Sequence, residues 1–181
     1  MNEVSKANLV EYYFKFKELA FLHRKFGFGK DGPRSSEKFT ESICMSLFGF
    51  KKDSGNGVKW DLIDPKTNAR IEVKATSSLN GTTDLHATHR FDYLFWGLIQ
   101  FDTDLFTVHI KKYSAFEKFH SNCQKKLAKA LTEGKTLRER LPVTLSKYTD
   151  IQVLSFKFDL SSQRILALSD EKLITLKRNS L

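Results

Sequence analysis

The chain has 181 residues, and its 40% hydrophobic content is that of a folded protein with a buried core, which excludes a disordered segment. Its net charge of +9 is expected of a nucleic-acid binder, although a basic protein with solvated lysines has the same balance. Cys44 and Cys123 lie too far apart in sequence for a zinc site, and no apolar run could span a membrane. We therefore expect a cytoplasmic protein with no membrane contact.

The first predicted element is a helix over residues 3–26, where apolar and aromatic side chains recur at helical spacing. Its aromatic side chains are expected to pack in the core or to form a dimer contact, with base stacking as the alternative. The glycine-rich loop that follows carries Lys30 and Arg34, which can reach phosphates. This loop is not a P-loop, because the Gly-Lys-Ser/Thr ending is absent.

A second helix is predicted to start at Ser35 or Ser36, either of which can cap it. Glu37 and Glu41 lie one turn apart on it, so both can point at the segment that follows. The alternative is that these acidic residues only favour the dipole at the start of the helix. The buried stripe of the helix is expected to be Phe39, Ile43 and Leu47.

Residues 59–76 read as two short strands around a turn at residues 65–68. If those four residues form the loop, Asp61 lies opposite Glu72, and Lys74 shares their face because side chains alternate along a strand. Two carboxylates that close repel each other unless a cation lies between them. Oxygen-only ligands suit Mg²⁺, so the hairpin predicts a magnesium site.

Asp61 followed by Glu72-Val73-Lys74 resembles the signature of the PD-(D/E)xK nuclease superfamily, and size and layout are most similar to its small type II restriction endonucleases. A Glu-bearing helix that ends at Gly49-Phe50, just before the hairpin, adds to the resemblance. Trp60 stands where the signature has proline, a position that varies in the superfamily. The resemblance covers roughly residues 10 to 115.

The resemblance implies an α/β fold with a central mixed β-sheet flanked by helices. It also implies a Mg²⁺-dependent endonuclease that hydrolyses double-stranded DNA at a short specific site and leaves 5′-phosphates. Asp61, Glu72 and the Val73 carbonyl would hold one or two Mg²⁺ ions. Lys74 would position or polarise the attacking water, and its role as a general base is open. The catalytic residues so implied are Asp61, Glu72, Lys74 and Glu37, with Glu41 as the alternative to Glu37.

After the hairpin, residues 77–89 are polar, show almost no apolar periodicity and leave the end of the catalytic strand. Side chains of this kind hydrogen-bond to base edges, so we expect DNA contact there, with an ordinary surface loop as the alternative. Residues 51–58 are predicted to be a polar loop before the hairpin. Lys51, Lys52 and Lys59 are expected to lie near the site and to hold DNA phosphates. The candidate DNA contacts along the whole chain are Lys30, Arg34, Lys59, Ser77, Ser78, Asn80, His86, His89, Arg90, Arg138 and Arg140.

The rest of the chain is predicted to complete the sheet, and Asp92 is expected to be structural. The predicted elements are strands over 91–99, 105–110 and 151–160, a helix over 114–131, and short strands over 165–168 and 173–176. We divide the single endonuclease domain into three parts. These are an N-terminal helix with a basic loop (1–34), a catalytic core (35–115) and a C-terminal part for DNA recognition or dimerisation (116–181).

A palindromic duplex site calls for a two-fold homodimer, which the N-terminal helix could form. Three other functions remain open from the sequence. The first is a structure-specific nuclease on the same fold, such as a junction resolvase or a repair nuclease. The second is a DNA-binding module without catalysis, and the third is a ribonuclease.

Overall fold

The computed structural model describes residues 4–26, 37–52, 60–76, 80 and 82–178. Its helices are α1 (Lys6–Phe26), α2 (Glu37–Phe48) and α3 (Glu117–Thr132). Its strands are β1 (Lys51–Lys52), β2 (Leu62–Ile63), β3 (Arg70–Thr76), β4 (Thr82–His86), β5 (Tyr93–Gln100), β6 (Leu105–Lys112), β7 (Arg140–Thr144), β8 (Gln152–Asp159) and β9 (Arg164–Ala167).

Within these described ranges the strands form a seven-stranded sheet in the order β1-β2-β3-β5-β6-β8-β9 and a separate ribbon of β4 and β7. Strands β3 and β5 are parallel, whereas the other neighbouring strands are antiparallel. The predicted class, an α/β fold with a mixed sheet flanked by helices, is confirmed. No helix in the described part of the chain is both long enough and apolar enough to cross a lipid bilayer.

The two faces of the large sheet carry different cores. Helices α1 and α2 cover one face, where Tyr13, Phe39 and Ile43 pack against β3, β5, β6 and β8. The opposite face is covered by the β4–β7 ribbon and the segment leading into α3. We call its apolar cluster the small core, and its buried members are Leu85, Phe91, Leu94, Trp96, Tyr113, Phe116, Val143 and Leu145.

The chain elements end where their local chemistry requires. Helix α2 stops at Gly49, whose positive φ of 73° lets its N–H donate to the Met45 carbonyl at 2.9 Å. Gly134 ends α3 in the same way, as predicted, with a φ of 66° and a bond to Leu131. Helix α3 also begins later than predicted, because residues 113–116 form a 3-10 turn before it.

Several sequence predictions were wrong in detail. Residues 51–52, predicted as loop, form β1 against β2, while 53–59 lie outside the described residues. The segment 77–89 contains strand β4. The sequence does not predict this strand, because its pairing partner, β7, lies more than fifty residues away. The predicted strand at 173–176 does not form; this segment is irregular, although Leu176 is buried in the core.

Asp92 is structural, as predicted, because it binds Arg70, the first residue of β3. Its carboxylate accepts two hydrogen bonds from the Arg70 guanidinium, at 2.9 and 2.8 Å, and one from the Arg70 backbone N–H at 2.7 Å. Both side chains are buried. The Arg70 guanidinium in turn lies over the Trp60 ring, 5.4 Å from its centroid. A buried ion pair therefore supports the residue that precedes Asp61.

We expect Asp92→Ala to destabilise the protein by about 3–5 kcal/mol, because it leaves the Arg70 guanidinium buried without its carboxylate. Urea unfolding followed by circular dichroism measures this directly. Asp102→Ala is the matched control, since that carboxylate is 89% exposed and its pair with Arg24 is long, at 3.7 Å. Equal unfolding midpoints for the two variants would contradict the assigned role of Asp92.

Candidate active site

The hairpin that carries the predicted site has the predicted register. Leu62 pairs with Ile71 and Ile63 with Arg70, so opposite residue numbers add to 133 as expected. Asp64 closes the turn, because its carboxylate accepts hydrogen bonds from the Lys66 N–H at 3.0 Å and the Thr67 hydroxyl at 2.6 Å. The turn and the register together bring Asp61 alongside β3.

Asp61 lies at the point where β2 stops pairing with β3. Its backbone N–H donates to the Ile71 carbonyl at 3.1 Å, and its carboxylate accepts the Val73 N–H at 2.7 Å. The side chain thus takes the place that a backbone carbonyl of a longer β2 would occupy. In an antiparallel ladder the N–H and C=O of one residue face the same neighbour. The Val73 carbonyl is therefore expected to face the same open edge as Asp61.

Glu72 and Lys74 lie on one face of β3 and are both buried, with 6% and 4% of their surface exposed. The Lys74 ammonium is 3.0 Å from the Glu72 carboxylate and 3.5 Å from that of Glu37 at the start of α2. The structure thus brings together Glu37, Glu72 and Lys74, and the hairpin adds Asp61 beside them. These are the four side chains that the sequence singled out.

Burial dominates the electrostatics of this cluster. It raises the pKa of Glu72 to about 7, although the Lys74 ammonium opposes the shift. Burial also raises the pKa of Asp61, against the hydrogen bond from Val73 and the charge of Lys74. For Lys74, burial alone would lower the pKa, but the surrounding carboxylates outweigh it and raise the pKa. The cluster is therefore short of positive charge even with its lysine ionised.

The donor set fits a hard divalent cation. The described residues hold no group of three or more acidic, histidine or cysteine side chains arranged to bind a metal. Mg²⁺ does not need such a group, since it usually takes one or two carboxylates and keeps several waters. Asp61 and Glu72, with the Val73 carbonyl at the same edge, match that requirement. A cation there would also offset the burial, and the smaller repulsion between carboxylates, that raise the pKa values of Asp61 and Glu72.

Glu37 and Glu41 differ in their surroundings. Glu37 is half-exposed and reaches Lys74, whereas Glu41 is largely buried and forms an ion pair with Lys52 at 3.0 Å. Both carboxylates raise the pKa of Asp61. Of the two, Glu37 is the one that contacts Lys74. The geometry favours Glu37 as the support of the site, and it gives Lys52 a protein partner where the sequence suggested a DNA phosphate.

The predicted DNA contacts fall into two groups. Those outside the described residues are Lys30, Arg34, Lys59, Ser77 and Ser78. The second group lies within the described residues, in or near the β4–β7 ribbon: Asn80, His86, His89, Arg90, Arg138 and Arg140. Asn80 is exposed just before β4, and Arg90 lies over the Tyr113 ring at 5.8 Å. The ribbon thus joins two stretches, around residues 86 and 138, that the sequence offered as separate candidates.

Contacts within the protein already occupy part of this group. The His86 ring is 2.8 Å from the Glu139 carboxylate, accepts or donates at Thr88 and stacks on His89 at 3.6 Å between centroids. Arg138 forms an ion pair with Asp84 at 3.0 Å. Sequence reasoning missed Asp84 and Glu139, because only the pairing of β4 with β7 brings each beside its basic partner.

Comparison with known proteins places this geometry in a family. A family model described as Bsp6I restriction endonuclease matches residues 1–147, which include all of the candidate site and the β4–β7 ribbon. The chain belongs to the Bsp6I restriction endonuclease family. This membership confirms the predicted resemblance to small type II restriction endonucleases. Strands β8 and β9, which complete the sheet, lie beyond the matched residues.

One curated relative is the type II restriction enzyme Bsp6I of Bacillus sp. (strain RFL6). It is 35% identical over 100 residues, which make up 54% of this chain and 55% of that enzyme. The matched stretch therefore spans about half the length of the relative.

Proposed function

We propose that this member of the Bsp6I restriction endonuclease family is a Mg²⁺-dependent endonuclease that hydrolyses double-stranded DNA at a short specific site. The observation that carries the proposal is the meeting of Asp61, Glu72 and Lys74 at one open strand edge, with the Lys74 ammonium 3.0 Å from Glu72. Burying carboxylates with raised pKa values beside a buried lysine costs folding free energy. Such clusters are concentrated at functional sites.

Each residue has a separate task in this proposal. Asp61, Glu72 and the Val73 carbonyl would hold the cation, and the Val73 N–H fixes the orientation of the Asp61 carboxylate. Lys74, kept charged by its carboxylate neighbours, orients the attacking water and balances charge that develops on the phosphate. Glu37 keeps Lys74 in place from the start of α2. A bound Mg²⁺ would supply Lewis-acid chemistry, lowering the pKa of that water and neutralising the phosphate.

The experiment that tests this function is digestion of a mapped linear duplex by the purified protein in magnesium buffer, followed by sequencing of the ends. We expect discrete fragments that share one short sequence at their ends and carry 5′-phosphates, which DNA ligase can rejoin. Separate reactions with a four-way DNA junction and with a single-stranded RNA test the alternatives. Cleavage confined to either of those substrates would replace the proposal by a structure-specific nuclease or a ribonuclease.

We further propose that the active form is a homodimer joined through α1. The face of α1 that points away from the core carries a row of exposed apolar side chains at helical spacing, namely Leu19, Leu22 and Phe26. Exposed Glu18 and Lys25 flank this row. If two copies pack antiparallel about an axis near Leu22, Glu18 faces the partner subunit's Lys25 on both sides. The surface is thus self-complementary, as a two-fold interface must be.

Leu22→Lys is expected to convert the dimer into a monomer, because it puts a charge at the centre of the apolar row. Sedimentation equilibrium measures the mass, and digestion of a supercoiled plasmid that carries one copy of the site is expected to yield nicked circles in place of linear DNA. Leu160→Lys is the control, since Leu160 is 54% exposed in the turn before β9. A Leu22→Lys protein with the same mass as the wild type would refute this interface.

A further inference from the structure

The β4–β7 ribbon presents two different faces. Its strands pair antiparallel from Thr82↔Thr144 to His86↔Arg140. Leu85 and Val143 point into the small core and are buried. Because side chains alternate along a strand, the opposite face carries polar side chains along most of its length. We call this the outer face, and its residues are Thr82, Asp84, His86, Arg140, Pro142 and Thr144.

The ribbon lies on the face of the large sheet from which Glu72 and Lys74 project. Its small-core neighbours Leu94 and Trp96 belong to β5 and are the register partners of Glu72 and Lys74 on β3. Register partners on adjacent strands point to the same side of a sheet, and the strands are about 4.8 Å apart. The ribbon thus covers the strand next to the one that carries the cluster, so one duplex can contact both.

The chain between the two sites sets an upper limit on their separation. Thr82 comes eight positions after Lys74, and a fully extended chain spans at most about 3.6 Å per position, or about 29 Å. That distance corresponds to roughly one turn of duplex, which is the scale of a short recognition site with the cut inside it. The ribbon and the cluster can thus act on one site.

The outer face offers directional hydrogen-bonding groups. Arg140 is exposed on it. Arg138, which lies just before β7 and is 72% exposed, is held against the outer face by its ion pair with Asp84 at 3.0 Å. Guanidinium groups bind guanine O6 and N7 in two parallel bonds, and a two-stranded β-ribbon fits the major groove. His86 is engaged with Glu139 and Thr88, so its ring fastens the end of the ribbon. The carboxylate of Asp84 would repel phosphates unless Arg138 stays paired with it.

We propose that the outer face of the β4–β7 ribbon enters the major groove and reads base edges through Arg138 and Arg140, with Asp84 as the residue that positions Arg138. This proposal rests on the proposed nuclease function and names the element that gives it specificity. It separates these two arginines from basic residues that contact only the backbone. Base contacts change the preference among sequences, whereas phosphate contacts change affinity for all sequences alike.

The test measures binding in magnesium-free buffer at one salt concentration, with a duplex containing the site found by the digestion experiment and a scrambled duplex. We expect Arg138→Gln and Arg140→Gln each to lower the affinity ratio between the two duplexes by about tenfold or more. Arg164→Gln removes the same charge from the exposed end of β9 and is expected to leave the ratio unchanged.

The role of Asp84 has its own readout. Asp84→Asn is expected to lower the affinity ratio in the wild-type background and to have no further effect in the Arg138→Gln background, because it acts only through that arginine. Equal effects in both backgrounds would overturn the positioning role.

Equal weakening of both duplexes by the ribbon variants, or no change in either, would overturn the ribbon proposal. A wild-type protein that cuts at a specific site while these variants keep its preference would leave the nuclease proposal standing. A wild-type protein that cuts no DNA would instead refute the proposed function itself.

Discussion

Lys74→Ala is expected to lower the rate of DNA cleavage by about a hundredfold to a thousandfold, the usual effect of removing one group that stabilises charge in the transition state. The lysine is buried and lies among three carboxylates, which raise its pKa and keep it charged. Its ammonium therefore carries a positive charge at the strand edge at neutral pH. Single-turnover cleavage of a labelled duplex measures the chemical step apart from product release.

DNA binding by this variant is expected to stay close to the wild type. Lys74 is 4% exposed, so it makes a small part of the surface that a duplex can touch. Glu72 can accept a proton when its lysine is lost, because its pKa is already raised to about 7, so the fold should survive. Lys157→Ala, on the exposed side of β8, is the matched control. Cleavage by Lys74→Ala at the control rate would place the active site elsewhere.

Asp61→Asn is expected to remove cleavage in magnesium by about a hundredfold or more, since a metal's contribution to the transition state is worth several kcal/mol. The substitution changes the charge and little else. An asparagine oxygen can still accept the Val73 N–H that Asp61 now accepts at 2.7 Å, so the hairpin keeps its geometry. The measurement is the cleavage rate across a magnesium titration, which separates weaker ion binding from slower chemistry.

Asp64→Asn is a close control, because it is the same substitution three residues away in the same hairpin. Asp64 holds the turn through the Lys66 N–H and the Thr67 hydroxyl and lies outside the cluster. We expect it to cut at nearly the wild-type rate. If the Asp61 and Asp64 variants lost activity equally, the loss would reflect the hairpin fold, and the role of Asp61 as a ligand would be refuted.

The sequence predicts the hairpin well because everything that specifies it is local. The turn residues at 65–68 set the loop length, the loop length sets the register, and side-chain alternation then places Glu72 and Lys74 on one face. Helix α2 is predictable for the same reason, since its apolar spacing and Gly49 mark its extent. Four site candidates therefore come together in the structure as the pattern suggests.

The sequence does not predict the ribbon, because its two strands are joined only by tertiary contacts. Thr82 pairs with Thr144, and neither segment has the apolar alternation of an isolated strand. Pro142 also argues against a strand, and the ribbon tolerates it because β7 has a partner on only one side. The ion pair between Arg138 and Asp84 follows from this pairing, so no local pattern could reveal it.

At residues 173–176 the local pattern predicts a strand that tertiary structure does not provide with a partner. Its leucine and isoleucine spacing resembles that of a short strand, but the sheet already ends at β9. The segment instead uses single contacts: the Ile174 N–H donates to the Gln152 side chain at 3.0 Å, and the Lys177 N–H donates to the Tyr93 hydroxyl at 3.0 Å. Its apolar side chains pack on the core between the large sheet and helices α1 and α2, without backbone pairing to a strand.

The proposed nuclease centre consists of Asp61, Glu72 and Lys74 and works with a divalent cation. Its most direct test is a plasmid digestion that compares the wild type in magnesium, the wild type in EDTA, and Asp61→Asn in magnesium. We expect discrete fragments in the first reaction and intact plasmid in the other two. Intact plasmid in all three, or the same fragments from Asp61→Asn at the wild-type rate, would contradict it.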